Sequence, residues 1–229
     1  MPLFQLTDEH RFPPCDLAEP NGLLAIGGDL SPERLVVAYR NGIFPWFSEG
    51  DPILWWCTSP RLVLFPEEFR VSRRLARELR SPPFEIRFNS DFEQVIDRCA
   101  QNRTERGEDT WITIQMKNAY CALHEQGYCH SVESWQQDRL AGGLYGLYLD
   151  RVFFGESMFS DLSGGSKFAL VALVNQLQNN QCGLIDCQMT TSHLVSFGAR
   201  EVTGMEFQGL LKQFIQTTSP HGKWTSYEE

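Results

Sequence analysis

The segment LIDCQ, residues 184–188, places a carboxylate and an amide inside an apolar run. Read as a strand it alternates, so Leu184, Asp186 and Gln188 share one face while Ile185 and Cys187 share the other. A second acidic residue, Glu156, interrupts the apolar segment RVFFGESM at 151–158. The stretch between them, KFALVALVNQLQ, has the length and apolar character of a buried helix. Strand, helix, strand is a crossover unit whose two strands run parallel. Glu156, Asp186 and Gln188 are then expected to converge toward the C-terminal ends of neighbouring strands, beside a helix start near Ser166. That edge is where α/β sheets build their sites. Such a cluster can be a satisfied network that only fixes packing. Two carboxylates and an amide at one edge point instead to proton handling and orientation of a polar substrate.

The elements needed to hold these residues are legible upstream. HSVESW, RLAGGLYGLYL and RVFFGESMFS read as three period-two strands joined by short turns, an antiparallel meander that leads into the crossover. Before it, SPERLVVAYRNG reads as a helix with Ser31 as N-cap, Pro32 at its first position and Gly42 after its end. SDFEQVIDRCA (90–100) reads as a helix with Ser90 and Glu93 at capping-box spacing. QMKNAYCALHEQG (115–127) reads as another, closed by a glycine. Phe207, Leu210, Leu211, Phe214 and Ile215 mark a last amphipathic helix, after which the acidic end YEE is expected to fray. Residues 43–61, with three Pro and three Trp, read as an aromatic loop, and a boundary is placed near residue 62. The expected organisation is a small N-terminal domain (1–62) contributing that loop to the site, then a catalytic domain (63–229). The fold class is α+β. Meander, helix and parallel strand in this order match the mixed sheet of the acetyltransferase-like (GNAT-type) acyl-transfer fold, an analogy that does not by itself give function.

The totals exclude several classes. At 229 residues, 42% hydrophobic and 21% charged, the composition is that of an ordinary globular protein. No segment approaches a membrane span, and no basic and apolar leader opens the chain, which gives a cytoplasmic expectation. Seven cysteines without a C-x-x-C pair, and five scattered histidines, suggest reduced thiols, no disulfide framework and no metal site. A formal charge of −9 argues against a general nucleic-acid binder. One stretch departs from it. In FRVSRRLARELR (69–80), read as one helix, Arg70, Arg73, Arg74, Arg77 and Arg80 fall within an arc of about 120°, opposite Val71, Leu75 and Leu79. That row reads either as a solvated face or as a phosphate-backbone site.

Seven strings in register, EPNGLLAIGGDLSPERL, GIFPWF, DPILWW, TWIT, HSVESW, GESMFS and LIDCQ with HLVSFGA after it, make the chain resemble the leucyl/phenylalanyl-tRNA–protein transferases over nearly its whole length. The resemblance implies transfer of Leu, Phe or sometimes Met from aminoacyl-tRNA to the N-terminal amine of proteins beginning with Lys or Arg. It implies that those proteins are thereby marked for degradation, and that neither metal nor coenzyme is used. By motif, Trp46 of GIFPWF and Trp111 of TWIT would hold the 3′-terminal adenosine; aromatic faces grip unstacked bases at roughly 1–3 kcal/mol each. Trp55 and Trp56 are read as structural. Leu144, Phe153, Leu170 and Ile185 would line the pocket for the donor side chain, with Leu144 standing where the family often has Met. Arg73, Arg74, Arg77 and Arg80 become the expected tRNA contacts. The chain departs from the family at SGGSK, where Ala-Ser-Lys is usual, and at WWCTSPR, where Trp-Ser-Pro-x-Pro-Arg is usual.

Under that reading the reaction is aminolysis of an ester, in which positioning and charge stabilisation dominate. Asp186 is expected to attract the amine and help remove its proton, as base or with the adenosine's own hydroxyl as relay, and Gln188, held by Glu156, to orient the attacking group or the ester. A coenzyme A-dependent N-acetyltransferase is the first rival, weakened because SDLSGGSK lacks the usual pyrophosphate-binding glycine pattern. A non-catalytic RNA-binding module is the second, and it has no use for the Glu-Asp-Gln cluster.

Overall fold

A computed structural model describes residues 3–105, 107, 110–222 and 224. The chain opens with β1 (Phe4–Leu6) and β2 (Leu23–Gly27), paired in parallel. Helix α1 (Pro32–Arg40) follows; the Ser31 side chain accepts the N–H of Arg34, Pro32 takes the first position, and Gly42 adopts φ +74° just past the end. Those start and stop residues act as expected. Within the aromatic stretch, β3 (Phe44–Pro45) and β4 (Leu54–Trp56) form an antiparallel pair, so the segment is not loop throughout. The four strands make a small sheet in the order β1-β2-β4-β3. Trp55 is its buried anchor and donates Nε1–H to the carbonyl of Gly27 at 2.9 Å. Cys15 and Cys57 are joined by a disulfide, which corrects the all-reduced expectation; five other cysteines are free. The partners stand 42 residues apart and meet only because the 15–17 turn packs beside the end of β4, a proximity no spacing rule reports.

The rest of the chain builds a seven-stranded sheet. In sequence these elements are β5 (Arg61–Leu64), α2 (Arg73–Glu78), β6 (Glu85–Phe88), α3 (Phe92–Glu105), α4 (Ile114–Glu125), β7 (Cys129–Gln136), β8 (Arg139–Leu149) and β9 (Val152–Ser160). Then come α5 (Gly165–Asn179), β10 (Leu184–Gln188), α6 (Ser192–Ser196), β11 (Arg200–Val202) and α7 (Gly204–Phe214). The spatial order is β11-β5-β10-β9-β8-β7-β6. β6 to β9 pair antiparallel in sequence, β10 lies parallel to β9, and β5 and β11 complete the edge antiparallel. This is the α+β mixed sheet expected from the meander and crossover. Period-two alternation assigns its two faces. Tyr145, Phe154 and Phe159 pack with α3, α4 and the small sheet; Leu144, Phe153 and Ile185 pack with α5. Among the described residues, no helix is long and apolar enough to cross a membrane.

Two local expectations are corrected, and one close approach is new. Helix α2 is half the expected length: Ser72 caps it by accepting the N–H of Leu75 at 3.2 Å, and Pro82 and Pro83 follow shortly. Arg70 therefore precedes the helix. The cap of α3 is Asp91, which accepts the N–H of Gln94 at 3.0 Å, while the N–H groups of Ser90 and Asp91 go to the buried carboxylate of Glu133 at 2.9 and 3.0 Å. Finally, α5 starts against the backbone of β8: a Cβ on Gly142 would lie 2.7 Å from the Cα of Gly165. Those two glycines let helix and strand touch without side chains between them. The YEE end lies outside the described residues.

Candidate active site

The site sits where β9 and β10 part. Their pairing runs from Leu184↔Val152 to Asp186↔Phe154 and stops there. Just beyond, each strand carries a bulge on its other side. The β8–β9 register shifts between Tyr145↔Ser157 and Gly146↔Gly155, leaving Glu156 as the extra residue. The β10–β5 register shifts between Asp186↔Val63 and Gln188↔Leu62, leaving Cys187 as the extra residue. A bulge bends its strand and re-aims the side chains after it. Gln188 adopts φ +59°, with its N–H held by Asp186 Oδ1 at 2.9 Å. The strict alternation that placed Asp186 and Gln188 on one face therefore fails at the bulge. Gln188 turns into a cavity of about 640 Å³ that opens at the split, and Asp186 does not line it.

Glu156 is the polar centre of that cavity. Its Oε1 accepts the hydroxyl of Tyr39 at 2.7 Å and the Nε2–H of Gln188 at 3.0 Å; its Oε2 accepts the hydroxyl of Tyr120 at 2.9 Å. The two tyrosine hydroxyls also touch each other. Burial pushes the Glu156 carboxyl up to about 7, opposed by the hydrogen bonds from Tyr39 and Tyr120; the negative Asp186 raises it and Arg61 lowers it. The same burial, with the nearby Glu156 charge, holds both tyrosines well above the ordinary phenol value, so they remain donors. A carboxylate poised near neutrality and bound to an amide that faces a cavity can exchange a proton with a bound amine.

Asp186 plays a different part from the one expected. Both its oxygens are taken by Arg61, Nε to Oδ1 at 2.8 Å and Nη2 to Oδ2 at 2.7 Å, and both side chains are wholly inaccessible to solvent. The guanidinium lies 4.7 Å from the ring centroid of Phe44 and 4.8 Å from that of Phe207. A fork-to-fork pair closed in this way leaves no path for a proton from a substrate amine. The expectation that Asp186 meets the amine directly is therefore corrected. It anchors the turn that aims Gln188.

The cavity reaches both faces of the sheet through the split. On the α5 face its walls are Leu144, Phe153, Leu170, Leu173 and Ile185, which brings together all four residues expected to line a side-chain pocket. On the other face stand Trp46, 42% exposed at the mouth, and Trp111, 9% exposed. Trp46 packs on Trp56 at 5.6 Å between ring centroids, and Trp56 donates Nε1–H to the Trp46 carbonyl at 2.7 Å. Ser166, at the start of α5, also lines the space. The arginine row does not. Arg73, Arg74, Arg77 and Arg80 are exposed on and just after α2, and Arg74 is paired with Glu78 at 2.9 Å.

The model of the leucyl/phenylalanyl-tRNA protein transferase family matches residues 63–212, and that of the family's N-terminal domain matches residues 28–59. The chain belongs to this family. The leucyl/phenylalanyl-tRNA–protein transferase of Desulfotalea psychrophila is 51% identical over 98% of this chain and 99% of its own. That of Azoarcus sp. is 53% identical over 96% and 94%, respectively. An aminoglycoside acetyltransferase from an uncultured soil metagenomic sample aligns far more distantly, at 12% identity and a TM-score of 0.39 over 64% of this chain and 99% of its own. The protein is thus an aminoacyltransferase by family. Three residues at the candidate site escaped the sequence reading. Tyr39 and Tyr120 sit on helices whose periodicity marks them only as core, and Arg61 lies 125 positions from Asp186. A buried acid demands a partner, and that demand, with the family string that ends at Arg61, pointed to the arginine.

Proposed function

We propose that the protein transfers leucine or phenylalanine, and methionine as a third donor, from aminoacyl-tRNA to the N-terminal amine of proteins that begin with Lys or Arg, marking them for degradation. The observation that carries this reading is a carboxylate held by two tyrosine hydroxyls and bonded to an amide at the split strands, with an apolar chamber on one face and tryptophans on the other. The donor side chain occupies the chamber of Leu144, Phe153, Leu170 and Ile185, and the 3′-terminal adenosine lies against Trp46 and Trp111. The ester carbonyl then rests at the split. The acceptor amine, with an ordinary pKa of roughly 7.7–8.0, is partly neutral when it arrives. Gln188 donates Nε2–H to Glu156, which leaves its carbonyl oxygen to accept an N–H of the amine and aim it. Nitrogen bonds to the carbonyl carbon, Glu156 takes the amine proton, and the carbon–oxygen bond to the ribose breaks with that oxygen reprotonated. Asp186 acts through the backbone of Gln188, with Arg61 balancing its charge.

The same reading divides the chain near residue 62, with 1–62 supplying the Trp46 loop, and gives Arg73, Arg74, Arg77 and Arg80 the acceptor-stem phosphates. It places the protein in the cytoplasm, where charged tRNA is found. The Glu156 carboxylate at the acceptor side favours a cationic first residue. The test is direct: incubate the protein with charged Phe-tRNA and a peptide beginning with Arg, and sequence the peptide's N-terminus. Added phenylalanine supports the proposal. Acetylation from acetyl-CoA instead, or RNA binding without transfer, overturns it.

A further inference from the structure

After α7 the described residues are laced back onto the sheet at several points. The N–H groups of Gln216 and Thr217 donate to Asp150 Oδ2 at 2.6 and 3.2 Å. The Tyr128 hydroxyl donates to the carbonyl of Thr218 at 3.0 Å. His221 stacks on Tyr148, with centroids 4.2 Å apart and planes 19° from parallel. Gly222 lies so close to Gly127 that a Cβ on the latter would stand 3.1 Å from the Gly222 Cα. Asn89 Nδ2 donates to the carbonyl of Trp224 at 3.0 Å. The anchors Asp150, Tyr148, Tyr128 and Asn89 follow β8, end it, precede β7 and follow β6, all at one end of the meander. The segment is a strap across that end, and it lies beyond residue 212, where the family model stops.

The strap terminates in a buried ring. Trp224 is 7% exposed, stacks on His130 at 4.1 Å and 7°, and lies over Phe153 at 6.1 Å and 26°. Its Nε1–H has no hydrogen-bond partner among the described residues, so shape rather than polarity holds the indole in place. Phe153 lines the cavity and Trp224 does not, which puts the indole behind the phenyl ring. A third contact fixes that ring: a Cβ on Gly146 would fall 2.5 Å from Phe153 Cζ, so the ring fills the space a side chain there would need. Phe153 is thus wedged between Gly146 and Trp224 in the wall of the apolar chamber.

We infer that the C-terminal strap sets the depth of the donor side-chain chamber, with Trp224 as a specificity-determining residue that acts through Phe153. This inference rests on the proposed use of that chamber for the donor amino acid. An apolar pocket discriminates between side chains by the room it offers, about 10- to 200-fold per methylene. With the indole gone, Phe153 can recede, the chamber deepens, and the larger donor gains on the smaller.

The test uses the full chain, its Trp224→Ala and Trp224→Phe variants, and an equimolar mixture of leucyl- and phenylalanyl-adenosine with a peptide beginning with Arg. Mass spectrometry reads the ratio of Phe-peptide to Leu-peptide. Trp224→Ala is expected to raise that ratio by about tenfold, and Trp224→Phe by less. Both donors compete for the same folded molecules, so partial unfolding lowers both products and leaves the ratio intact. If the alanine variant does not fold, the phenylalanine variant decides alone. An unchanged ratio with active parent protein overturns the role of Trp224. Absence of both products from the parent protein overturns the transfer reading itself, and the inference with it.

Discussion

In the proposed mechanism Glu156 has to be ionised to take a proton, yet it sits where desolvation makes ionisation costly. The hydroxyls of Tyr39 and Tyr120 offset that cost by donating to it at 2.7 and 2.9 Å. Tyr39→Phe removes one donor to the charged form and so moves the Glu156 carboxyl further up from about 7. The acidic limb of the kcat profile should shift to higher pH, with KM for the donor little changed; an unmoved limb would separate Tyr39 from the acid–base step. The same carboxyl makes stability depend on pH. Its folded value, about 7, lies above the ordinary 4.5, so its bound proton stabilises the fold below 4.5 and that contribution fades as pH rises through 7. Glu156→Gln does not titrate. Thermal melts between about pH 5 and pH 8 should therefore show a smaller loss of Tm in the variant than in the parent protein.

At the scale of elements, Glu133 does for α3 what no helix cap could do alone. Its carboxylate, wholly buried in β7, accepts from Ser90 N, Asp91 N, the Ser131 hydroxyl and Trp135 Nε1, at 2.8 to 3.0 Å. Glu133→Ala orphans four donors and should lower stability by about 3 kcal/mol or more, read by chemical denaturation. The meander, the crossover and most helix caps were legible because each rests on local periodicity or on a residue within a turn of the element it closes. The bulges were not. A single extra residue at Cys187 reverses the face of Gln188, and alternation counted along LIDCQ carries no sign of it, because the bulge is defined only against β5. Helix α2 was overdrawn for the opposite reason: the arginine period continues past the points where Ser72 and the Pro82-Pro83 pair end the backbone hydrogen bonding. The polar cluster itself was found, but its division of labour depends on Tyr39, Arg61 and Tyr120, which only tertiary packing brings near.

For the whole molecule, a charge of −9 coexists with an exposed row of four arginines on and beside α2. If that row takes phosphates of the tRNA body, neutralising Arg73, Arg74, Arg77 and Arg80 should flatten the salt dependence of tRNA binding, by about 0.7–0.9 in log–log slope per lost contact. Arg74 is expected to contribute least, since Glu78 already holds it. Transfer from aminoacyl-adenosine, which has no acceptor stem, should be nearly untouched, and an unchanged slope would return the row to being a solvated face.

Arg61 gives the molecule its seam. The residue belongs to β5 of the large sheet, yet its guanidinium is sandwiched between Phe44 of the small sheet and Phe207 of α7, with Thr58 accepting from Nη1 at 3.1 Å. Sequence places the natural cut between the two units near residue 62, just after the cation that holds both oxygens of Asp186. A fragment beginning at residue 63 would therefore fold around a stranded anion, at a cost of about 3–5 kcal/mol. It should be recovered insoluble or partly unfolded, as judged by near-UV circular dichroism. Supplying residues 1–62 as a separate chain should rescue it, because that chain carries the missing cation along with the aromatic ring of Phe44 that shelters it.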